Sequence, residues 1–535
     1  MDRLPPEIMR PIVQMVIEAS PSGLVCAYAG VSRQWQAMVE QVTFATLRLN
    51  QERILEAGSI MSPVRQSYVR SIIFTAKLFT HEPEETETDH EKRYNNIHFS
   101  NAVTWLLEYL RTWSGVAFDS SYARGIALTL AVASPSDAHY IDLDNTRFRL
   151  PLRAGESRTQ KCLFSIVGLQ EDFTDYRTLP TVPFITSFRC KPGRHHDQRR
   201  LVPKSLCEIA SRFPNLLDID WDLPDGGRGF SELFRNQLRR DFATALPLLP
   251  RALHSFKLCY GLATSPFDVD GGSDRDETEH HQPRLGLEGT PDELSVALGQ
   301  LAMRLRSIEV TGIIGNEFFT AIQGDPEKEK EEESAADPLK TEPSSRLHQL
   351  ILRIAPHTPQ GAFLFDHDPL DPSPEVGWPP NNRVIPVAAQ IHPYILAAAR
   401  AAAARLPALT NLVITWKART PASLTYTVRS VRKPKTEAEA ELVCNTSPAL
   451  DLPDELQEAW WHAAQSHLLS ARRVAARVSQ FRLVVRDNGL RYKHLNDRFR
   501  HLNDRPGGRA HMGLDPLVPV AEPPPHDVFD CIRNL

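Results

Sequence analysis

Leu253-His254-Ser255-Phe256-Lys257-Leu258 is the stretch from which the rest of this sequence can be read. Its apolar residues stand first, fourth and sixth, and the final two-residue step puts Phe256 and Leu258 on one side of an extended strand. The same spacing returns at Val69/Ile72/Phe74, Ile185/Phe188/Cys190, Leu216/Ile219/Trp221, Leu305/Ile308/Val310, Leu347/Leu350/Leu352 and Leu409/Leu412/Ile414, often with Ser or Asn just before the middle position. β-Branched and aromatic residues dominate the paired positions, as strands favour. Several copies follow a helix-like stretch that ends at a proline. Examples are Leu206-Cys207-Glu208-Ile209-Ala210 before Phe213-Pro214 and Ile395–Arg405 before Leu406-Pro407. Leu294, Ala297, Leu298, Leu301 and Leu305 keep a helical period.

Helix, tight turn and L-x-x-L-x-L strand make up the unit of a leucine-rich repeat. Each such unit exposes an apolar flank that only the next unit can bury, so the units are expected to stack. The period is irregular: first positions from Ile185 onward lie 31, 37, 52, 42 and 62 residues apart, against about 20–29 in regular repeats. The alternative is an α+β domain whose buried strands share an apolar rhythm. The longer gaps coincide with stretches that cannot pack. The clearest contains Glu327-Lys328-Glu329-Lys330-Glu331-Glu332-Glu333, too charged to bury. The expected fold is therefore mixed α/β. An N-terminal helical module (1–50) precedes an irregular leucine-rich-repeat-like body (60–500) and a proline-rich tail (506–535). Flexible insertions are expected near 81–96, 266–290, 323–345 and 366–382.

Composition sets outer limits. The 535 residues exceed the roughly 150 of a single domain. A net charge of −5, from 61 basic and 66 acidic side chains, argues against a nucleic-acid-binding surface. Seven scattered cysteines without a C-x-x-C pair fit a reducing compartment, cytoplasmic or nuclear. The first residues lack the apolar core of a signal peptide. The most apolar run, Ile395 to Leu406, carries Arg400 and Arg405 and is shorter than the roughly 20 residues a membrane span needs. No membrane association is expected.

The first fifty residues are more specific. Leu4-Pro5-Pro6-Glu7 sets a proline-started first turn with an acidic residue near the positive helix end. Ile8, Ile12, Met15 and Val16 form one apolar stripe. Ser20-Pro21-Ser22-Gly23 ends that helix, Leu24, Ala27, Tyr28 and Val31 begin a second, and Ser32-Arg33-Gln34-Trp35 leads into a third with Val39, Val42 and Phe44. Three short helices have little core of their own, and a partner helix would stabilise them.

The order Leu4-Pro5-x-Glu7-Ile8, Ile12, Leu24, Tyr28-Ala29-x-Val31-Ser32-Arg33-Gln34-Trp35, Val39, Phe44 resembles an F-box. That resemblance covers about a tenth of the chain. It implies docking to the Skp-type adaptor of a cullin-RING (SCF-type) ubiquitin ligase, with the remainder binding a protein substrate, often through leucine-rich repeats. By matched position Leu4, Pro5, Ile8, Leu24, Val31 and Trp35 are the adaptor-binding or module-core residues that the resemblance implies. The departure is Met9-Arg10-Pro11, which puts a proline inside the first helical stripe and removes a backbone bond. A looser resemblance, through the helix Ala102–Trp113, the strand Gly125–Val132 and Ala133-Ser134-Pro135-Ser136-Asp137, is to large filamentous-fungal F-box-like proteins whose C-terminal region has no assigned function. The alternative is a scaffold that keeps the helical cap without binding an adaptor.

A search for chemistry returns none. There is no phosphate loop, no G-x-S-x-G elbow and no H-E-x-x-H pair. Asp366-His367-Asp368 lies in a proline-rich loop where three adjacent residues rarely converge on one metal. His195-His196 and His280-His281 read as loop residues, Arg194 to Arg200 as a solvated basic turn, and Trp460-Trp461 as the anchor of a C-terminal helix. The expectation is a non-catalytic protein-interaction chain with no cofactor and no metal.

Overall fold

The computed structural model describes residues 5–19, 28–79, 87–115, 125–134, 166–170, 175–190, 199–224, 231–261, 290–324, 345–362, 364–367, 384–416, 422–431, 437–446, 452–471, 477–487 and 491–493. Among them the chain forms a mixed α/β structure around one thirteen-stranded sheet, with eleven α-helices. Its strands are β1 (Thr46–Leu49), β2 (Ser71–Lys77), β3 (Ile126–Ala133), β4 (Ile185–Cys190), β5 (Asp218–Pro224), β6 (Ser255–Gly261) and β7 (Ser307–Gly312). They continue with β8 (Gln349–Ile354), β9 (Asn411–Trp416), β10 (Ala422–Val431), β11 (Glu437–Thr446), β12 (Arg477–Asp487) and β13 (Arg491–Lys493). Their order across the sheet is their order in the chain. Strands β1 to β9 run parallel. Then β9, β10 and β11 pair antiparallel, β12 runs parallel to β11, and β13 antiparallel to β12.

The three apolar positions of each run have three separate jobs. Middle positions fall in register across eight strands, Ile72, Leu128, Phe188, Ile219, Phe256, Ile308, Leu350 and Leu412, and each is at most 1% exposed. Last positions make the neighbouring row, where Trp221 meets Phe188 and Phe256 edge-on, both at 5.8 Å between centroids. First positions close the turn. The N–H groups of Val69, Leu216, Leu253, Leu305 and Leu409 each donate to the carbonyl three residues earlier, at 3.0–3.2 Å. The next two residues reach the preceding strand: His254 and Ser255 donate to Leu217, Arg306 and Ser307 to His254, His348 and Gln349 to Arg306, and Thr410 and Asn411 to His348. At β8, where the charged insertion enters, Leu347 N–H donates to the Ser345 hydroxyl at 3.2 Å instead, and the ladder continues.

Helices cover the face that carries these rows. They are α1 (Pro6–Ala19), α2 (Arg33–Thr43), α3 (Gln51–Ile60), α4 (Pro63–Tyr68), α5 (Asp89–Arg111), α6 (Pro203–Ala210), α7 (Glu232–Ala245), α8 (Glu293–Ala302), α9 (Glu317–Gln323), α10 (Ala388–Arg405) and α11 (Asp454–Ala471). From α6 to α11 each helix packs on the next in the chain, and one continuous core joins them to the sheet. A buried ion pair ties this layer together. Arg239 of α7 donates to Asp292 at 2.6 Å and to the Ile313 carbonyl at 3.0 Å, while Asp292 caps α8 by accepting from Ser295 N–H at 3.0 Å. At the far end Trp460 is buried against Tyr426, with ring centroids 5.0 Å apart, whereas Trp461 is half-buried. His467 accepts from Tyr426 Oη or donates to it at 2.8 Å and contacts the Ala402 carbonyl at 3.0 Å, which joins α11 to β10 and α10.

Two expectations change. The insertion read over 81–96 is shorter, because Asp89 to Asn96 are the first turns of α5. Thr88 and Glu91 form a reciprocal capping box that starts the helix there. The basic stretch 194–200 is not wholly a solvated turn. Arg199 is buried and donates to Glu87 at 3.0 Å, a carboxylate that Asn95 also reaches at 2.6 Å. Residues 194–198 lie outside the described set, as do His280, His281, most of the insertions read near 266–290, 323–345 and 366–382, and the tail. No helix among the described residues is long and apolar enough to cross a membrane.

The packed rings set the first prediction. Trp221→Ala empties space between Phe188, Phe242 and Phe256, and truncating a buried tryptophan costs about 3–5 kcal/mol. A urea titration should show an unfolding free energy lowered by that amount for the β4–β6 region. A change below about 1 kcal/mol would mean that the row is not tightly packed.

Candidate binding surfaces

Two surfaces stand out, and each is set by which side of an element turns inward. The first is the N-terminal module. Met9, Val13, Trp35 and Val39 form a small core separate from that of the body, with Ile12, Val16, Ile17, Tyr28, Ala29 and Met38 around it. Ser32 caps α2 by accepting from Trp35 N–H at 3.3 Å, which fixes the indole at the start of the helix. Among the described residues an ionic contact joins α2 to α4: Arg65 donates to Glu40 at 2.7 Å, and its guanidinium lies over the Phe44 ring, 5.1 Å from the centroid.

Helix α1 is apolar on two adjoining stripes. Met9, Val13, Val16 and Ile17 turn toward Trp35, while Ile8 is 52% and Met15 60% exposed. The single stripe read as Ile8, Ile12, Met15 and Val16 is thus divided, with Ile12 and Val16 against the small core and Ile8 and Met15 outside, since a helix with apolar residues at 8, 9, 12, 13, 15 and 16 does not declare its inner side. Pro11 is exposed within α1, and the helix continues past it to Ala19. Of the six residues assigned to adaptor binding, Ile8 and Val31 face outward, Val31 at 55% exposure. Pro5 is also exposed, and its carbonyl starts α1 by accepting from Ile8 and Met9 at 3.0 and 3.1 Å. Trp35 is buried, so it belongs to the module's core and not to an outward face. Leu4 and Leu24 lie outside the described residues.

The second surface is the sheet face that no described helix covers. Residues between the apolar positions point away from the helices, and their rows are also in register. One row reads Arg48, Ile73, Thr129, Arg189, Asp220, Lys257, Glu309, Ile351 and Val413. Charge alternates along its middle. Lys257 reaches Glu309 at 3.2 Å, and Arg353, two residues beyond Ile351 on the next strand, also pairs with Glu309. Burial pushes the Glu309 carboxyl upward, but hydrogen bonds and charge from Arg353 and Lys257 outweigh it and hold the group below its ordinary value. Asp218, Asp220 and Asp222 share this face of β5. Such a surface suits a partner of mixed charge. Sequence reading did not find it, although the signal was present as the variable residue inside each final apolar pair: Arg189, Asp220, Lys257 and Glu309.

Thiol chemistry has no foothold among the described buried cysteines. Burial pushes Cys190 and Cys444 up to about 12 and Cys207 upward as well. Among the described residues no group of three His, Cys, Asp or Glu side chains could hold a metal ion. Asp366 and His367, read as part of a proline-rich loop, instead sit on a short strand, Phe365–His367, held by antiparallel pairing with Val384–Pro386.

Glu309 gives a pH prediction. Its carboxyl is depressed on folding, so its stabilising effect is full above the unfolded carboxylate value and is lost as pH falls through the lower folded value. Glu309→Gln should cost about 1 kcal/mol at neutral pH, a modest figure because Lys257 and Arg353 are substantially exposed. The gap between wild type and variant in thermal melts should close as the pH is lowered below the ordinary carboxylate value. A constant gap across that range would remove the ionic account.

A scan of protein-family models gives no match, and no curated protein matches the chain.

Proposed function

We propose that this chain is a non-catalytic substrate receptor of an SCF-type ubiquitin ligase. Its N-terminal module, an F-box-like fold, docks a Skp-type adaptor linked to a cullin, and its leucine-rich-repeat-like body holds a protein target. The observation that carries the reading is the outward apolar stripe of α1. Ile8 and Met15 are more than half exposed, with Val31 beside the start of α2, on a module that already has its own core. Apolar side chains that a small module leaves outside are the mark of an interface. Strands in chain order, a repeated turn bond and a sheet face that no described helix covers support a stacked-unit body. The mechanism is proximity: the receptor holds the target near the ligase's activated ubiquitin and raises its effective concentration.

Co-purification with a Skp-type adaptor tests this. Wild-type chain should capture the adaptor stoichiometrically. Ile8→Glu/Val31→Glu should abolish capture while leaving the melting temperature unchanged, because neither residue is in a core. Trp35→Ala is the contrasting variant, expected to lose capture by unfolding the module. No capture by the wild type would leave the chain as a scaffold whose helical cap binds no adaptor.

A further inference from the structure

We propose that the exposed aromatic face of α5 is a docking site for this chain's own proline-rich stretch, Pro516-Leu517-Val518-Pro519-Val520-Ala521-Glu522-Pro523-Pro524-Pro525. This inference is independent of the ligase reading.

The face is built by helical spacing. His90, Tyr94 and His98 are four residues apart, and Trp105 lies eleven residues past Tyr94, three turns along the same side. Phe79, just beyond β2, completes the cluster. Its ring is 5.5 Å from Tyr94 edge-on, Tyr94 is 5.0 Å from His98, and His90 stacks on Tyr94 at 6.0 Å. The opposite side of α5, through Phe99, Val103, Leu106 and Leu110, is buried in the core. Nothing about packing therefore requires aromatics on the outer side, yet Phe79, Tyr94 and Trp105 are 53%, 44% and 52% exposed. Ridged aromatic surfaces are what proline-rich segments bind, because a polyproline II helix is already ordered and presents flat rings.

Length, charge and reach each favour the internal segment as occupant. Tyr94 and Trp105 are about 16 Å apart along the helix axis, which is five to six residues of polyproline II at about 3.1 Å each. That is the separation of Pro519 from Pro524 and Pro525. The segment holds Glu522, and its surroundings are acidic, with Asp515, Asp527 and Asp530 and no Lys or Arg from Ala510 to Cys531. The α5 face is flanked by exposed Arg93 and carries two histidines, while the neighbouring Asp89 and Glu108 are paired with Lys92 and Arg111. From Lys493 to Pro519 there are 26 residues, enough to span about 85 Å. The eleven strand spacings between β2 and β13 amount to about 53 Å.

The test uses the full-length chain with a photo-crosslinking benzoylphenylalanine in place of Trp105, and a second version in place of Tyr94 should either label perturb folding. Leu233, 80% exposed on α7, carries the same label as a control. Intrachain cross-links from position 105 or 94 to residues 516–525 are expected, with none from position 233. They should be lost in Pro519→Ser/Pro523→Ser/Pro524→Ser/Pro525→Ser. Three results overturn the proposal: cross-links that join two chains, cross-links only to other segments, or equal labelling from Leu233.

Discussion

One row of side chains sets the terms for everything else. Ile72, Leu128, Phe188, Ile219, Phe256, Ile308, Leu350 and Leu412 stand side by side across eight parallel strands and are almost fully withdrawn from water. Burying each is worth about 1.5–3 kcal/mol, and the period of a strand makes their alignment unforgiving. A slip of one residue between any two strands would exchange the apolar row with the charged one. The repeated turn prevents it, since the same N–H to carbonyl bond fixes the entry point of β2, β5, β6, β7 and β9. Where the charged insertion alters the approach to β8, Ser345 supplies the missing partner and the register is kept.

The outer face is a consequence of the inner one. Once every second residue is committed to the helices, the intervening ones form rows of their own at strand spacing. Glu309 can therefore hold Lys257 from one neighbouring strand and Arg353 from the other. The N-terminal module obeys a different rule. Its core of Met9, Val13, Trp35 and Val39 is too small to absorb all the apolar residues of α1, so Ile8 and Met15 remain outside.

Seven strands were legible in the sequence because their apolar spacing is a direct print of the pleat and of the turn before it. β3 carries the same pair, Leu128 and Leu130, but stands apart because its first position is Gly125. That residue has φ of 62°, and a side chain there would run into Thr186. The outer rows were not legible: a lysine or glutamate at a variable position looks like ordinary solvated sequence until neighbouring strands put Lys257 beside Glu309. In α1 the difficulty was an excess of signal, two adjoining apolar stripes of which only a tertiary partner, Trp35, selects the inner. Arg199 read as solvated because its partner Glu87 is 112 residues away in the chain.

The agreement between strand order and chain order bears on how the molecule is assembled. From β2 onward each strand pairs with the strand made just before it and has no need to wait for a distant one. During synthesis the sheet can grow by accretion from its N-terminal edge, one strand and one helix at a time, with each addition covering the apolar flank left by the last. The unfinished edge is then always the newest strand, close to the ribosome, and the finished part never has to reopen to admit a later strand.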